Sequence, residues 1–367
     1  MQTSLPQLSE FRSNRQNSSR YLKQMCGSGQ LFRDRYRLIR VLGRGGFGVT
    51  YLSQDVMLPG LPLCVIKQLS PKASNPLSLE RAKVRFKREA RTLAKLGSHS
   101  QIPMLLDYFT IKGEFFLVQE YIRGETLTKE VRRSGIQPEA KVKDFLKELI
   151  SVVKYIHKHR VIHRDIKPPN IIRCQAHNRL VLIDFGAVRE GLAEAEDHAY
   201  RPPTTQFVGT LGFAPPEQLA LRPRYASDIY AMGVTCLYLL TGRSPMEFET
   251  DLDTGELKWQ YSANVSRHFE GVLNKMLKPD VNDRYQSLGD LERALDLEPY
   301  LSALSDCMNT KAPSNSSPLE GQMVVPLDSY LTPTQRRAAA IRNWKARRKV
   351  KEGGHQRMMS SSPAFPL

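Results

Sequence analysis

No apolar run in this chain is long enough to cross a bilayer. The longest, Ala231 to Leu240, has ten residues, and a spanning helix needs about twenty. The N-terminal stretch lacks the apolar core of a secretory signal. The five cysteines (Cys26, Cys64, Cys174, Cys236 and Cys307) are scattered and odd in number. They form neither a disulfide framework nor a paired C-x-x-C metal site, which makes a reducing cytoplasm the expected compartment. No internal repeat is visible. Acidic charge is scarce as well: 37 Asp/Glu stand against 54 Lys/Arg, a net charge of +17. The excess gathers at the ends. Residues 1–35 carry six basic side chains against two acidic, and residues 301–367 carry ten against four. Such ends are either solvated tails or contacts for an anionic partner such as nucleic acid, a membrane surface or an acidic protein, and charge alone leaves both readings open.

What remains is ordinary for a water-soluble globular chain: 367 residues, 41% hydrophobic and 25% charged, enough for one large domain or two modest ones. Residues 1–30 are polar and aperiodic and read as loop or disorder. Strand patterns follow at Tyr36–Val41 and Thr50–Ser53, on either side of a glycine cluster, and at Leu63–Leu69, Met104–Phe109 and Glu114–Tyr121. Between them Leu79–Leu96 has helical spacing and stops at Gly97. After Gly124 helices dominate. Lys143–His157 places Phe145, Leu146, Leu149, Val152, Val153 and Ile156 on one side, and Ala226–Leu240 is apolar all round, as in a buried helix. Val161–Ile162 and Leu180–Ile183 are short strands, 187–212 is irregular, and a capping pattern at Ser287 opens a last helix to about Leu297. Residues 301–332 read as a Ser/Pro-rich linker. Pro333 starts a basic helix to residue 352, and 353–367 form a disordered tail. The expected class is α+β: a small antiparallel sheet lobe with one helix over 36–122, and a larger, mainly helical lobe over 123–300.

Three motifs carry chemistry. Gly43-Arg44-Gly45-Gly46-Phe47-Gly48 lies between two strand patterns, where absent side chains let backbone N–H groups approach phosphate oxygens. Three glycines so spaced arise by chance roughly 0.1 times in a chain of this length, so alone they also fit a plain hairpin turn. Lys67 ends an apolar strand, and Glu89 on the following helix is a carboxylate able to hold it. The most specific motif is His163-Arg164-Asp165-Ile166-Lys167-Pro168-Pro169-Asn170 followed by Asp184-Phe185-Gly186. Asp184 and Asn170 are hard oxygen donors suited to Mg²⁺. Asp165 is placed to accept a hydroxyl proton, and Lys167 to neutralise a moving phosphoryl group.

Taken in this order, the motifs resemble the eukaryotic-like serine/threonine protein kinases, most of all their cyanobacterial members, from about Tyr36 to Tyr300. The resemblance implies the two-lobed protein kinase fold and transfer of the γ-phosphoryl group of Mg-ATP to Ser/Thr hydroxyls of proteins, with autophosphorylation, in bacterial signalling. It implies that Gly43, Arg44, Gly45, Gly46, Phe47 and Gly48 cover the nucleotide, with Leu42, Val49 and Thr50 beside it. Lys67 would hold the α- and β-phosphates and pair with Glu89. Gln119 would guard the pocket, and Glu120 to Ile122 would form the hinge that meets adenine. Asp165, Lys167 and Asn170 are the implied catalytic residues, with Asn170 and Asp184 on magnesium. Asp228 would anchor the catalytic loop, Arg284 would partner Glu217, and Arg164 would answer to phosphate on Thr204 or Thr205, although threonines in a flexible loop are also common. Thr50, Val65 and Pro215 depart from the usual valine, alanine and alanine, and none touches a phosphate, metal or proton. Relatives with an N-terminal cysteine cluster resemble the lead-in from Cys26, but only that cysteine remains, so zinc is not expected. A pseudokinase would lack Lys67, Asp165 or Asp184; all three are present. For the basic stretch 336–351, Ile341 and Trp344 give a small apolar patch, and an anionic partner, docking to a protein, or solubility alone all fit.

Overall fold

Alternating apolar residues in the first third of the chain build one antiparallel sheet. In the computed structural model, which describes residues 21–45, 48–69, 76–111, 114–187, 189–190 and 210–298, its strands are β1 (Leu31–Phe32), β2 (Tyr36–Gly45), β3 (Gly48–Asp55), β4 (Leu63–Leu69), β5 (Leu105–Ile111) and β6 (Glu114–Glu120). Their spatial order is β1-β2-β3-β4-β6-β5, and every neighbouring pair is antiparallel. The glycine cluster extends these strands rather than interrupting them: β2 runs on to Gly45, which pairs with Gly48. Helix α1 (Pro76–Leu96) joins β4 to β5. Its Phe86, Ala90, Leu93 and Leu96, three to four residues apart, form a buried stripe in the same apolar cluster as Leu117 of β6.

The second lobe is mainly helical: α2 (Leu127–Ser134), α3 (Glu139–Lys158), α4 (Pro216–Leu219), α5 (Tyr225–Thr241), α6 (Arg267–Met276) and α7 (Leu288–Asp296). Helix α3 buries Val142, Phe145, Leu146, Leu149, Ile150, Val152, Val153 and Ile156. Helix α5 is buried around nearly its whole circumference, so its surroundings are protein on all sides. It ends at Gly242, whose φ of +69° is left-handed. Ser287 caps α7 by accepting from the Asp290 N–H. Short strands complete the lobe: β7 (Gly124–Thr126), β8 (Val161–Ile162), β9 (Ile171–Cys174), β10 (Leu180–Leu182), β11 (Arg189–Glu190), β12 (Glu249–Thr250) and β13 (Leu257–Lys258). β9 lies between β10 and β7, and β11 pairs with β8. Together these elements form a two-lobed α+β fold.

The N-terminal expectation needs correction. Residues 21–25 form a helical turn rather than loop or disorder, and β1 lies within the stretch 1–35. Leu22, Met25 and Phe32 are buried together with Tyr36, Leu38, Tyr51, Ile66, Phe116 and Val118. The physical reason is the sheet itself: its face opposite α1 is also apolar and needs a cover. The three covering side chains are separated by polar residues with no regular period, which hid them. Helix α2 went unread because it buries only Leu127 and Val131, too few positions to show a period.

Chain contacts divide the protein into units 1–305 and 306–367. The expected basic helix (333–352) and tail (353–367), the linker 301–332, Gly46, Phe47, Thr204 and Thr205 lie outside the described residues.

One glycine is dictated by backbone proximity. A Cβ on Gly124 would stand 2.1 Å from the carbonyl oxygen of Arg173 on the adjacent β9. Gly124→Ala should therefore lower the unfolding free energy by about 1–3 kcal/mol, measured by urea denaturation.

Candidate active site

The two-residue period of the sheet decides which side chains reach the space between the lobes. Thr50 pairs across the sheet with Lys67, and Lys67 with Leu117. Leu52, Val65 and Gln119 follow on that face by the same register. Val49 and Gln68 lie on the other face, where Val49 is buried in the cluster of Tyr51 and Ile66. The expected role of Val49 beside the nucleotide is thus corrected for its side chain, because adjacent residues of a strand point to opposite faces. At the outer end of β6, Glu120 donates its N–H to the Met104 carbonyl at 2.9 Å, while its carboxylate accepts from the Met104 N–H at 3.3 Å. Ile122 follows two residues on, at the passage between lobes. Leu42 and Arg44 lie on β2, and Leu42 remains 37% exposed.

Lys67 is the meeting point of three elements. Its Nζ donates to Glu89 Oε1 of α1 at 2.7 Å and to Asp184 Oδ1 at 3.4 Å. Burial opposes the lysine's charge, but the carboxylates of Asp184 and Glu89 outweigh it and raise its pKa. Asp184 is held below the usual carboxylate range, first by the Lys67 charge. Burial pushes Glu89 up while Lys67 pulls it back. Space at this junction is tight. A Cβ on Gly186 would lie 3.2 Å from Glu89 Oε2 and 3.4 Å from Asp184 Oδ1, so the glycine lets the helix carboxylate and the loop carboxylate share one lysine. Asp184 itself has φ +67°, a conformation uncommon for a residue with a side chain. Phe185 is buried and meets the His163 ring edge-on at 4.9 Å between centroids.

A second polar group forms around Asp165. Its Oδ1 accepts from the Thr210 hydroxyl at 2.9 Å, and its Oδ2 from Asn170 Nδ2 at 2.9 Å and from Lys167 Nζ at 2.8 Å. Lys167 also donates to Thr210 Oγ1 at 2.6 Å. A hydroxyl thus sits between a carboxylate and an ammonium. The Ile183 N–H donates to the Asn170 carbonyl at 2.9 Å, which ties the Asn170 turn to the strand end that carries Asp184. Among the described residues no cluster of three or more His, Cys, Asp or Glu is able to hold a metal alone. Asn170 and Asp184 instead offer the small oxygen donor set of a cation that takes its other ligands from water and phosphate.

The loop is suspended from Asp228 on α5. This fully buried carboxylate accepts from the His163 N–H at 2.9 Å, the Arg164 N–H at 2.8 Å and His157 Nε2 at 2.8 Å. Gln218 donates to the Arg164 carbonyl at 2.7 Å, and Arg164 has φ +69°. Below it, Arg284 is buried and grips Glu217 through its two terminal guanidinium nitrogens, at 2.7 and 2.9 Å. Residues Lys67, Glu89, Asp165, Lys167, Asn170 and Asp184 are thus distributed over two linked polar groups. His157 and Gln218 were not singled out from the sequence. His157 carries a faint signal, a polar group in the last turn of an apolar helix; Gln218 carries none.

The family model described as Protein kinase domain matches residues 36–295. Serine/threonine-protein kinase B of Synechocystis sp. is 48% identical over 280 residues, covering 76% of this chain and 49% of the relative. Serine/threonine-protein kinase PknA of Nostoc sp. is 42% identical over 270 residues, covering 73% and 48%. Serine/threonine-protein kinase PrkC of Bacillus subtilis is 28% identical over 277 residues, covering 72% and 40%. The chain spans about half the length of these cyanobacterial relatives.

Burial alone would raise the pKa of Asp228, but the hydrogen bonds and charge of His157, with the nearby His163 and the Arg164 N–H, bring it below the usual range. A depressed carboxylate contributes stability above its unfolded pKa and loses it as pH falls through the folded value. Asp228→Asn should cost about 1–3 kcal/mol near neutrality. Its stability should fall less steeply than the wild type's as pH drops below about 5, read from denaturant curves at each pH.

Proposed function

The chain belongs to the protein kinase domain family, among its bacterial serine/threonine-protein kinase members, and on that premise we propose that it transfers the γ-phosphoryl group of Mg-ATP to serine or threonine hydroxyls of proteins. The observation that carries this reading is the convergence of Lys67, Glu89 and Asp184 beside the Asp165–Lys167–Thr210 group. In this reading the backbone of Gly43–Gly48 lies over the phosphates, and Lys67, held by Glu89, takes the α- and β-phosphate oxygens. Leu42, Thr50 and Val65 border the adenine, and Glu120 to Ile122 present the hinge backbone to its edge. Asn170 and Asp184 would hold Mg²⁺, which supplies charge neutralisation at the phosphates.

Asp165 receives the proton of the acceptor hydroxyl. Its hydrogen bond from Thr210 shows the carboxylate already engaging an alcohol, with Lys167 beside it to stabilise negative charge. The loose transition state of phosphoryl transfer asks mainly for position and charge. The same loop, hung from Asp228, supplies both. Lys167 two residues after Asp165, together with Gly209-Thr210, supports the serine/threonine type.

We place the reaction in the cytoplasm. The cysteines Cys26, Cys64, Cys174 and Cys236 are all free thiols, in keeping with a reducing compartment. No helix among the described residues is long and apolar enough to cross a membrane. An anionic partner for 336–351 is supported by charge alone.

Asp165→Asn should reduce phosphate incorporation into a protein substrate by about 10²–10⁴-fold while Mg-ATP binding by calorimetry is retained. Lys67→Ala should lose transfer as well. Wild-type rates in Asp165→Asn would refute the assignment. Phosphate on Thr204 or Thr205 would pair with the Arg164 guanidinium and activate the enzyme. Mass mapping after incubation with Mg-ATP should locate phosphate on one of them, and its absence from both would remove this mode of activation.

A further inference from the structure

The sheet has two faces, and only one of them faces the proposed nucleotide. The other is covered by the chain's own N-terminal segment, which lies ahead of the residues matched by the family model. Two different forces fix that segment. At its start, Leu22 and Met25 are 2% and 3% exposed, packed into one cluster with Leu38 of β2, Val49 and Tyr51 of β3, and Cys64 and Ile66 of β4. The Gly27 N–H donates to the Leu38 carbonyl at 3.0 Å, and β1 pairs with Tyr36 and Arg37. The Phe32 ring packs at a tilt against Phe116 at 5.0 Å and Phe109 at 5.9 Å between centroids.

At its end, a charge network closes the turn. Arg35 makes a bidentate pair with the buried Asp55, and Arg33 and the Tyr36 hydroxyl both donate to Asp107, at 3.4 and 3.0 Å. Arg33 and Asp34 are both left-handed, with φ +57° and +54°. A conformation this unfavourable persists only when its surroundings over-determine it. The segment therefore reaches β2, β3 and β4 from behind, and those are the strands that carry Gly43–Gly48, Thr50 and Lys67. Val49, the residue next to Thr50, lies in the shared cluster.

Resting on the kinase reading, we infer that Leu22, Met25 and Phe32 are positioning residues for nucleotide binding: residues 21–36 clamp the reverse face of β2–β4 and hold the glycine hairpin and Lys67 in the geometry the triphosphate needs. The clamp touches no substrate. It acts by limiting how far the two glycine-bearing strands flex, a cost otherwise met on nucleotide binding. Linkage then demands reciprocity: if the clamp tightens the nucleotide site, nucleotide must tighten the clamp by the same factor.

The reciprocity is measurable on the unaltered full-length protein. Hydrogen exchange followed by mass spectrometry, with and without saturating magnesium and a non-hydrolysable ATP analogue, should slow about fivefold in peptides from 21–36 as well as from 38–55. Protection of 38–55 with no change in 21–36 overturns the inference and leaves the kinase reading standing. Absence of protection in both removes the nucleotide site itself. As a second arm, the full-length double variant Leu22→Ala/Met25→Ala should raise the KM for ATP about fivefold while kcat stays within about twofold. A lowered melting temperature with KM unchanged would reduce the segment to a stabilising role and overturn the inference. Where the double variant does not fold, Asp107→Asn, which loosens the turn alone, is read in the same way, with the same KM rise expected and an unchanged KM overturning.

Discussion

A single, largely buried ammonium organises the centre of this protein. Lys67 is carried by the sheet, Glu89 by α1 and Asp184 by a loop of the helical lobe. Glu89 is nearly fully buried and Lys67 largely so, and the cost of placing charge there is offset only by close pairing of good geometry. The lysine therefore acts as a geometric condition on the lobes. Where β4, α1 and the Asp184 turn come together the charges are satisfied, and where one withdraws another is stranded. Gly186 belongs to the same condition, because a Cβ at that position would crowd the Glu89 carboxylate at 3.2 Å.

The acceptor side of the site is built differently. Asp165, Asn170 and Lys167 sit on irregular backbone, and irregular backbone holds a position only if something rigid fixes it. Here that support is α5, a helix surrounded by protein, with Asp228 collecting two backbone N–H groups and one imidazole. Gln218 adds a bond to the next carbonyl. These bonds fix the start of the loop, and the Ile183 N–H on the Asn170 carbonyl ties its far end.

Much of this was legible in the sequence, and for identifiable reasons. The polar residues from His163 to Asn170 and from Asp184 to Gly186 lie close together along the chain, so their combination is visible without knowing the fold. Lys67 and Glu89 were legible because strand and helix periodicity placed each one. The face of Val49 was misjudged, since its neighbours in the chain suggested the cleft while the strand's alternation turned it away. Residues 21–32 were missed because their apolar side chains are few and irregular, and only the sheet they cover gives them meaning. Gln218 is a contact of tertiary origin with no local trace. The same holds for the close approach of β7 to β9 that reserves Gly124.

The Glu217–Arg284 pair spans 67 positions of chain. Ribosomal synthesis at about 5–20 residues per second leaves the carboxylate waiting for its guanidinium for roughly 3–13 s. Over that interval α5 and α6 are added while α4 still lacks the cation that pairs with its Glu217. The buried pair beneath α5 can therefore form only once Arg284 has been synthesised, near the end of the helical lobe.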